Sequence, residues 1–87
     1  MRIFKYLLSI EDMQGITMPA GAEILTVQMQ DGVPTIWAMV REGVPSEVRH
    51  FATYGTGHPM GSGFMRKYIG TYQTHHGLVF HVFEEKP

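Results

Sequence analysis

The stretch AEILTVQMQDGVPTIWAMV, residues 22–40, carries the clearest secondary-structure signal in the sequence. In its first part, residues 22–30, apolar residues alternate with threonine and glutamine, which is the period-two pattern of a strand. Asp31-Gly32 follows and is the strongest short-range signal for a β-hairpin, because both residues tolerate the backbone of a tight two-residue turn. A second alternating run, residues 34–40, returns after it. The stretch therefore predicts an antiparallel hairpin.

Strand patterns also flank this hairpin on both sides, separated by short turns rich in glycine and proline. Residues 10–15 have the pattern of at most a single helical turn. Both faces of the run at residues 78–84 are apolar, which predicts a strand in the centre of a sheet or at a subunit interface. The further predicted strands cover residues 2–10, 15–19, 48–54, 66–74 and 78–84. The sequence thus predicts an all-β domain of six or seven strands, as a small antiparallel sandwich or barrel.

Length and composition limit the classes of function. The 87 residues predict a single domain over 1–87, and a core this small favours a homo-oligomer. The absence of cysteine excludes disulfides and thiolate zinc sites within the chain. A net charge of −1 argues against a nucleic-acid polymer as partner. The sequence contains no apolar run of the length that a membrane span needs, so we expect no membrane partner and a cytoplasmic location.

The glycine-rich stretch YGTGHPMGSG, residues 54–63, raises the question of a phosphate-binding loop. It lacks the lysine of a P-loop, and neither a P-loop nor a dinucleotide fingerprint fits without a helix after it. Two interpretations remain. Its backbone N–H groups, with the hydroxyls of Thr56 and Ser62, would suit an anion. Alternatively, it is a connection whose glycines occupy positive φ angles.

The histidines and carboxylates do not form a recognisable catalytic or metal-binding pattern. The five histidines lack ligand spacing, so we expect no metal and no other cofactor. His81 alternates with apolar neighbours and is expected to be a satisfied buried or interfacial side chain. The pair Glu84-Glu85 is expected to be solvated at a strand end. Without a nucleophile motif, the sequence predicts a protein that is not an enzyme.

Positive charge brackets the glycine-rich stretch, with Arg49 before it and Arg66-Lys67 after it. Guanidinium groups suit phosphates, and aromatic faces suit stacked bases. The alternative is that the arginines serve solubility and the aromatics form the core. The candidate nucleotide-binding residues are Trp37, Arg49, Tyr54, Gly55, Thr56, Gly57, His58 and Arg66.

Four segments carry a resemblance to a known group of proteins: MRIFKY, AEILTVQMQDGVPTIWAMV, RHFATYGTGHPM and YIGTYQTHHGLVFHVFEEK. Together they cover nearly the whole chain, which resembles a family of short proteins of unknown function encoded mainly by bacteriophages and prophages. That family is similar in size and strand content to the phage sponges that counter cyclic-oligonucleotide immunity (anti-CBASS sponges).

The resemblance implies a homo-oligomer, with a tetramer favoured, that binds a cyclic dinucleotide or trinucleotide in the host cytoplasm. Such sponges bind at subunit interfaces and perform no chemistry. An alternative function, an inhibitor or accessory module that binds a host defence protein, fits the same composition.

Overall fold

Seven β-strands make up the computed structural model, which describes residues 1–62 and 65–86. Every paired strand is antiparallel, and the described residues contain no helix, which confirms the all-β prediction. The strands are β1 (Arg2–Leu7), β2 (Met13–Pro19), β3 (Glu23–Gln30), β4 (Val33–Val40), β5 (Ser46–Gly55), β6 (Met65–Gln73) and β7 (Val79–Lys86).

The strands form two sheets, and the chain is a small sandwich rather than a closed barrel. The first sheet has the order β1-β4-β3 and the second the order β2-β5-β7-β6. Strand β7 lies between β5 and β6, as the apolar character of both its faces predicted. Its backbone hydrogen-bonds to a strand on each side, and Val82, Glu84 and Glu85 along it are buried.

The predicted hairpin is the β3–β4 pair, which confirms the prediction from residues 22–40. Its turn residues Asp31 and Gly32 have φ angles of 50° and 77°, as a two-residue hairpin turn requires. Residues 10–15, whose pattern allowed at most a single helical turn, contain no helix, because β2 already begins at Met13 and pairs with Ala52 of β5.

The core lies between the two sheets and is built from alternate residues of the central strands. Ile36, Ala38 and Val40 of β4 are fully buried, as are Phe51 of β5 and Val82 of β7. Alternation places every second side chain of a strand on one face, so these residues share the interior.

The sheets approach each other closely where β6 passes β3. A Cβ atom on Gly70 would lie only 2.8 Å from Cγ1 of Val27, so this position needs a residue without a side chain. Both strands carry a register shift here, between Ile24 and Thr26 in β3 and between Tyr68 and Gly70 in β6. Residues 1–62 and 65–86 form no helix whose length and apolar character would let it span a bilayer.

Candidate functional site

The glycine-rich segment begins as a tight turn at the end of β5. The His58 amide donates to the carbonyl of Gly55 at 3.0 Å, and the Thr56 amide donates to Val79 at 3.2 Å. Gly57 has a φ of 87°, which favours glycine, so here the connecting interpretation describes the loop's geometry. These two amides are therefore engaged within the protein. Gly63, the last residue of the segment, lies outside the described residues.

Gly55 serves a different purpose from Gly57. A Cβ atom on Gly55 would lie 3.0 Å from Cε1 and Nδ1 of His58, because the imidazole folds back over this glycine. Pro59 follows His58 and holds its backbone extended, which restricts the direction of the His58 ring. The structure adds that the ring packs against the start of its own turn.

A line of polar side chains crosses the outer face of the second sheet from this turn. The Thr56 hydroxyl lies 2.8 Å from Nε2 of His81, and Nδ1 of His81 lies 3.0 Å from the Thr71 hydroxyl. The line ends at the hydroxyl of Tyr68, which is hydrogen-bonded to Thr71. Both nitrogens of His81 thus have partners, and one hydroxyl donates to the ring nitrogen that carries no proton. His81 is a satisfied, half-buried histidine, as expected.

Tyr54 and Arg66 meet on the same outer face around a buried carboxylate. Glu85 is 3% exposed and accepts from the Tyr54 hydroxyl at 3.0 Å and from Nε of Arg66 at 2.6 Å. Arg66 also donates to the carbonyl of Gly61, which ties the loop to β6. Its guanidinium lies 5.7 Å from the centre of the Tyr54 ring, within range of a cation–π contact.

Arg49 lies on the opposite, inward face of the same sheet. Two of its nitrogens donate to Glu84, and a third donates to the carbonyl of Ala22 at 2.8 Å. The hydrogen bond to Glu84 raises the pKa of Arg49 above its ordinary value. Glu84 is 7% exposed, so the expectation of solvated carboxylates was wrong for both Glu84 and Glu85: each is buried beside an arginine.

Arg49 and Arg66 nevertheless share one shallow cavity of about 250 Å³ near the start of β6 and the end of β7. Lys67 and Lys86 also line it, and both are exposed. Four of the chain's seven lysines and arginines therefore surround this space. We call these four residues and their cavity the cationic cavity. Glu84 also lines the cavity and pairs with Arg49, so the positive charge available to attract anions there is mainly that of the two lysines.

A second cavity of about 290 Å³ adjoins the glycine-rich turn. Tyr54 lines this second cavity, and its ring contacts the guanidinium of Arg66. Arg66 in turn lines the cationic cavity. The residues lining it are Asp12, Met13, Thr53, Tyr54, His58 and Pro59. Tyrosine and histidine rings are side chains on which a nucleobase stacks.

The candidate residues fall into three groups in space. Residues 54–58 are contiguous, from the last two residues of β5 into the turn after it, and Arg66 lies beside the ring of Tyr54. Arg49 joins them only through the cationic cavity. Trp37 is half-buried on β4 in the other sheet, opposite Lys5 and Thr26, and lines neither cavity.

Sequence reasoning did not identify Lys67 and Lys86 as site residues. The predicted C-terminal hairpin could have revealed them. Pairing of its two arms brings Lys67, near the start of β6, close to Lys86, at the end of β7. The register pairs Met65 with Lys86 and Lys67 with Glu84. In residues 1–62 and 65–86, no three histidine or carboxylate side chains are grouped to hold a metal ion.

Comparison with known proteins gives one result. No curated protein and no solved structure matches the chain. A family model described as a domain of unknown function (DUF7352) matches residues 1–87, the full length of the chain. The chain is therefore a member of the DUF7352 family of domains of unknown function.

Proposed function

We propose that this protein is a phage immune-evasion protein that binds and sequesters a cyclic oligonucleotide second messenger without catalysis, acting as a homo-oligomer in the host cytoplasm. The observation that carries the proposal is the cationic cavity, where Arg49, Arg66, Lys67 and Lys86 surround one small space. A phosphodiester ligand requires this kind of charge.

The roles of the four cations differ because two of them are already engaged. Arg49 donates to Glu84 and Arg66 donates to Glu85, so their positive charges are largely balanced. Lys67 and Lys86 make no ion pair within the described chain. In the proposed complex the two lysines contact the phosphates, and the arginines hold the cavity in shape.

The base in this proposal occupies the neighbouring cavity at the glycine-rich turn. Tyr54 and His58 line that cavity, and Arg66 connects Tyr54 to the cationic cavity. A nucleotide spanning the two would place its base against these rings and its phosphate beside Lys67. Recognition would then come from side chains and ring faces, since the Thr56 and His58 amides are engaged in the turn.

Calorimetric titration with a panel of cyclic dinucleotides and trinucleotides tests the proposal. At least one member should bind, and Lys67→Gln or Lys86→Gln should each weaken that binding roughly tenfold, because each removes a charge-assisted hydrogen bond. Arg41→Gln is the matched control. It removes the same charge from an exposed position at the far end of β4 and should leave affinity unchanged.

Two results would contradict the proposal. If no member of the panel produced binding heat or raised the unfolding temperature, nucleotide binding would be ruled out. Equal weakening by Lys67→Gln and Arg41→Gln would show that overall charge, and not this cavity, governs binding. The absorbance spectrum of freshly purified protein gives an independent reading, because a retained nucleotide raises absorbance at 260 nm.

A second candidate function is the binding of a host defence protein, and one observation favours it. The three-stranded sheet carries exposed apolar side chains at Ile3, Leu7 and Leu25, which are 60%, 62% and 43% exposed. Exposed apolar side chains that cluster mark sites of protein association. A stoichiometric host protein retained on the purified chain, with no bound nucleotide, would support this function over sequestration.

A further inference from the structure

Strand β1 forms an open edge of the three-stranded sheet. It pairs with β4 in an unbroken register from Arg2–Val40 to Leu7–Thr35, and no strand in the described chain pairs with its other side. It contains no proline and no bulge, and all its residues except Tyr6 are exposed. A regular exposed edge presents unpaired backbone groups that accept another strand.

The other edges of the two sheets differ from β1. Strands β3 and β6 face each other, and each carries a register shift. Strand β2 contains Gly15 and ends at Pro19, and these two residue types weaken or terminate strand pairing. Among the described strands, β1 is thus the edge best suited to pairing with another strand.

We propose that β1 of one molecule pairs with β1 of a second copy, so that two three-stranded sheets join into one of six strands. A two-fold axis makes the two strands antiparallel, which is the pairing found throughout this protein. This inference rests on the homo-oligomer of the proposed function but does not depend on its ligand.

Charge and side-chain position select the register. The hydrophobic cores of the two copies lie on the same side of the joined sheet only if the two-fold axis passes through a residue pair. In that register one residue of β1 lies directly opposite the same residue of the second copy. Centring on Lys5 would place two ammonium groups opposite each other, and like charges in that position are destabilising. Centring on Phe4 avoids this contact.

The register centred on Phe4 gives complementary neighbours along the whole strand pair. Phe4 lies opposite Phe4 of the second copy. Arg2 of each copy lies opposite Tyr6 of the other, and Ile3 of each copy lies opposite the aliphatic stem of Lys5 of the other. Phe4 is 37% exposed, on the same face of β1 as Tyr6, and the second copy would cover it. Aromatic pairs and a cation beside a ring both stabilise facing strands.

The absence of cysteine from the chain allows a direct test by single substitutions. Directly opposed residues have Cα atoms about 4.5–5.5 Å apart, which suits a disulfide. Phe4→Cys should therefore form a covalent dimer in an equilibrating thiol buffer without nucleotide. Ile3→Cys and Lys5→Cys should give a several-fold lower yield of covalent dimer. In this register each of these residues is shifted by two positions from its own copy, so their Cα atoms are more than about 7 Å apart. Thr17→Cys, exposed on β2, measures random collision.

Two measurements keep the inference falsifiable if Phe4→Cys itself weakens association. The unmodified protein should sediment as a dimer or an even multiple of it. Phe4→Glu, which places two carboxylates on the axis, should raise the dissociation constant at least about tenfold while leaving the circular dichroism spectrum intact.

Three outcomes would overturn the inference: a monomer in sedimentation, a Phe4→Cys dimer yield no higher than that of Thr17→Cys, or preferential cross-linking of Lys5→Cys. Because these experiments contain no nucleotide, they can fail while the calorimetric test of the cationic cavity succeeds. The dimer tests can likewise succeed while the calorimetric test fails.

Discussion

Replacing Arg49 by methionine should destabilise the fold strongly, because it breaks the best-connected ion pair of the second sheet. Methionine keeps most of the apolar stem but removes every donor of the guanidinium. Glu84, 7% exposed, would lose its bidentate partner, and the carbonyl of Ala22 would lose the donor now at 2.8 Å. The substitution thus leaves a buried charge without compensation.

The size of the effect follows from burial. Removing one member of a buried ion pair costs about 3–5 kcal/mol. The Arg49 side chain is 17% exposed, so solvent reaches one side of the pair and the low end of that range applies. We expect a loss of about 3 kcal/mol in the free energy of unfolding. For a domain of this size that corresponds to a fall of about 12–24 °C in Tm.

Urea unfolding followed by the fluorescence of Trp37, the single tryptophan, measures the loss. Arg2→Met is the matched control, since the Arg2–Glu42 pair spans 3.3 Å between side chains that are 68% and 53% exposed. It should cost under about 0.5 kcal/mol. The double variant Arg49→Met/Glu84→Leu should recover most of the stability. A loss below about 1 kcal/mol for Arg49→Met alone would show that the ion pair with Glu84 is not behaving as a buried one.

Three further predictions concern backbone space, turn chemistry and alkaline pH. Gly70→Ala should cost about 1–3 kcal/mol in urea unfolding, because its Cβ would meet Val27 at 2.8 Å, and adding Val27→Ala should remove the steric part of that cost. Asp31→Asn should raise the free energy of unfolding by about a few tenths of a kcal/mol, and so raise the midpoint of thermal unfolding slightly, since asparagine before Gly32 suits the positive φ better; an unchanged or lower midpoint would contradict this. Burial raises the pKa of Tyr72, so the neutral phenol is favoured in the folded state, and stability should be complete below about pH 10 and fall as pH rises toward the folded pKa. Tyr72→Phe should flatten that alkaline decline in denaturant titrations, and an unchanged decline would count against it.

The sequence was sufficient where the determining signals are local. Asp31-Gly32 predicts the hairpin because turn chemistry depends on adjacent residues. The apolar character of both faces of residues 78–84 predicts a strand in the centre of a sheet or at a subunit interface, and β7 is central. Gly57 likewise has the positive φ expected of a connecting glycine.

The roles of the charged residues required the register between distant strands. Arg49 and Glu84 are 35 positions apart, and only the pairing of β5 with β7 brings them together. The buried state of Glu84 and Glu85 follows from the same pairing, and a strand-end position in the sequence does not reveal it. The need for glycine at position 55 arises because the His58 ring folds back over it, and no spacing rule predicts that contact.

These ion pairs also determine what the cationic cavity is suited to bind. Glu84 and Glu47 offset the charge of Arg49 and Glu85 offsets that of Arg66, so the positive charge without an ion-pair partner in the cavity is that of the exposed lysines Lys67 and Lys86. A cyclic dinucleotide carries one negative charge on each of two phosphodiesters, which would give each lysine one phosphate to contact. A nucleic-acid polymer needs a longer track of cations, and the chain as a whole has a net charge of −1. The cavity therefore suits a small anion better than a polymer, and Lys67 and Lys86 are the residues whose neutralisation should change affinity most.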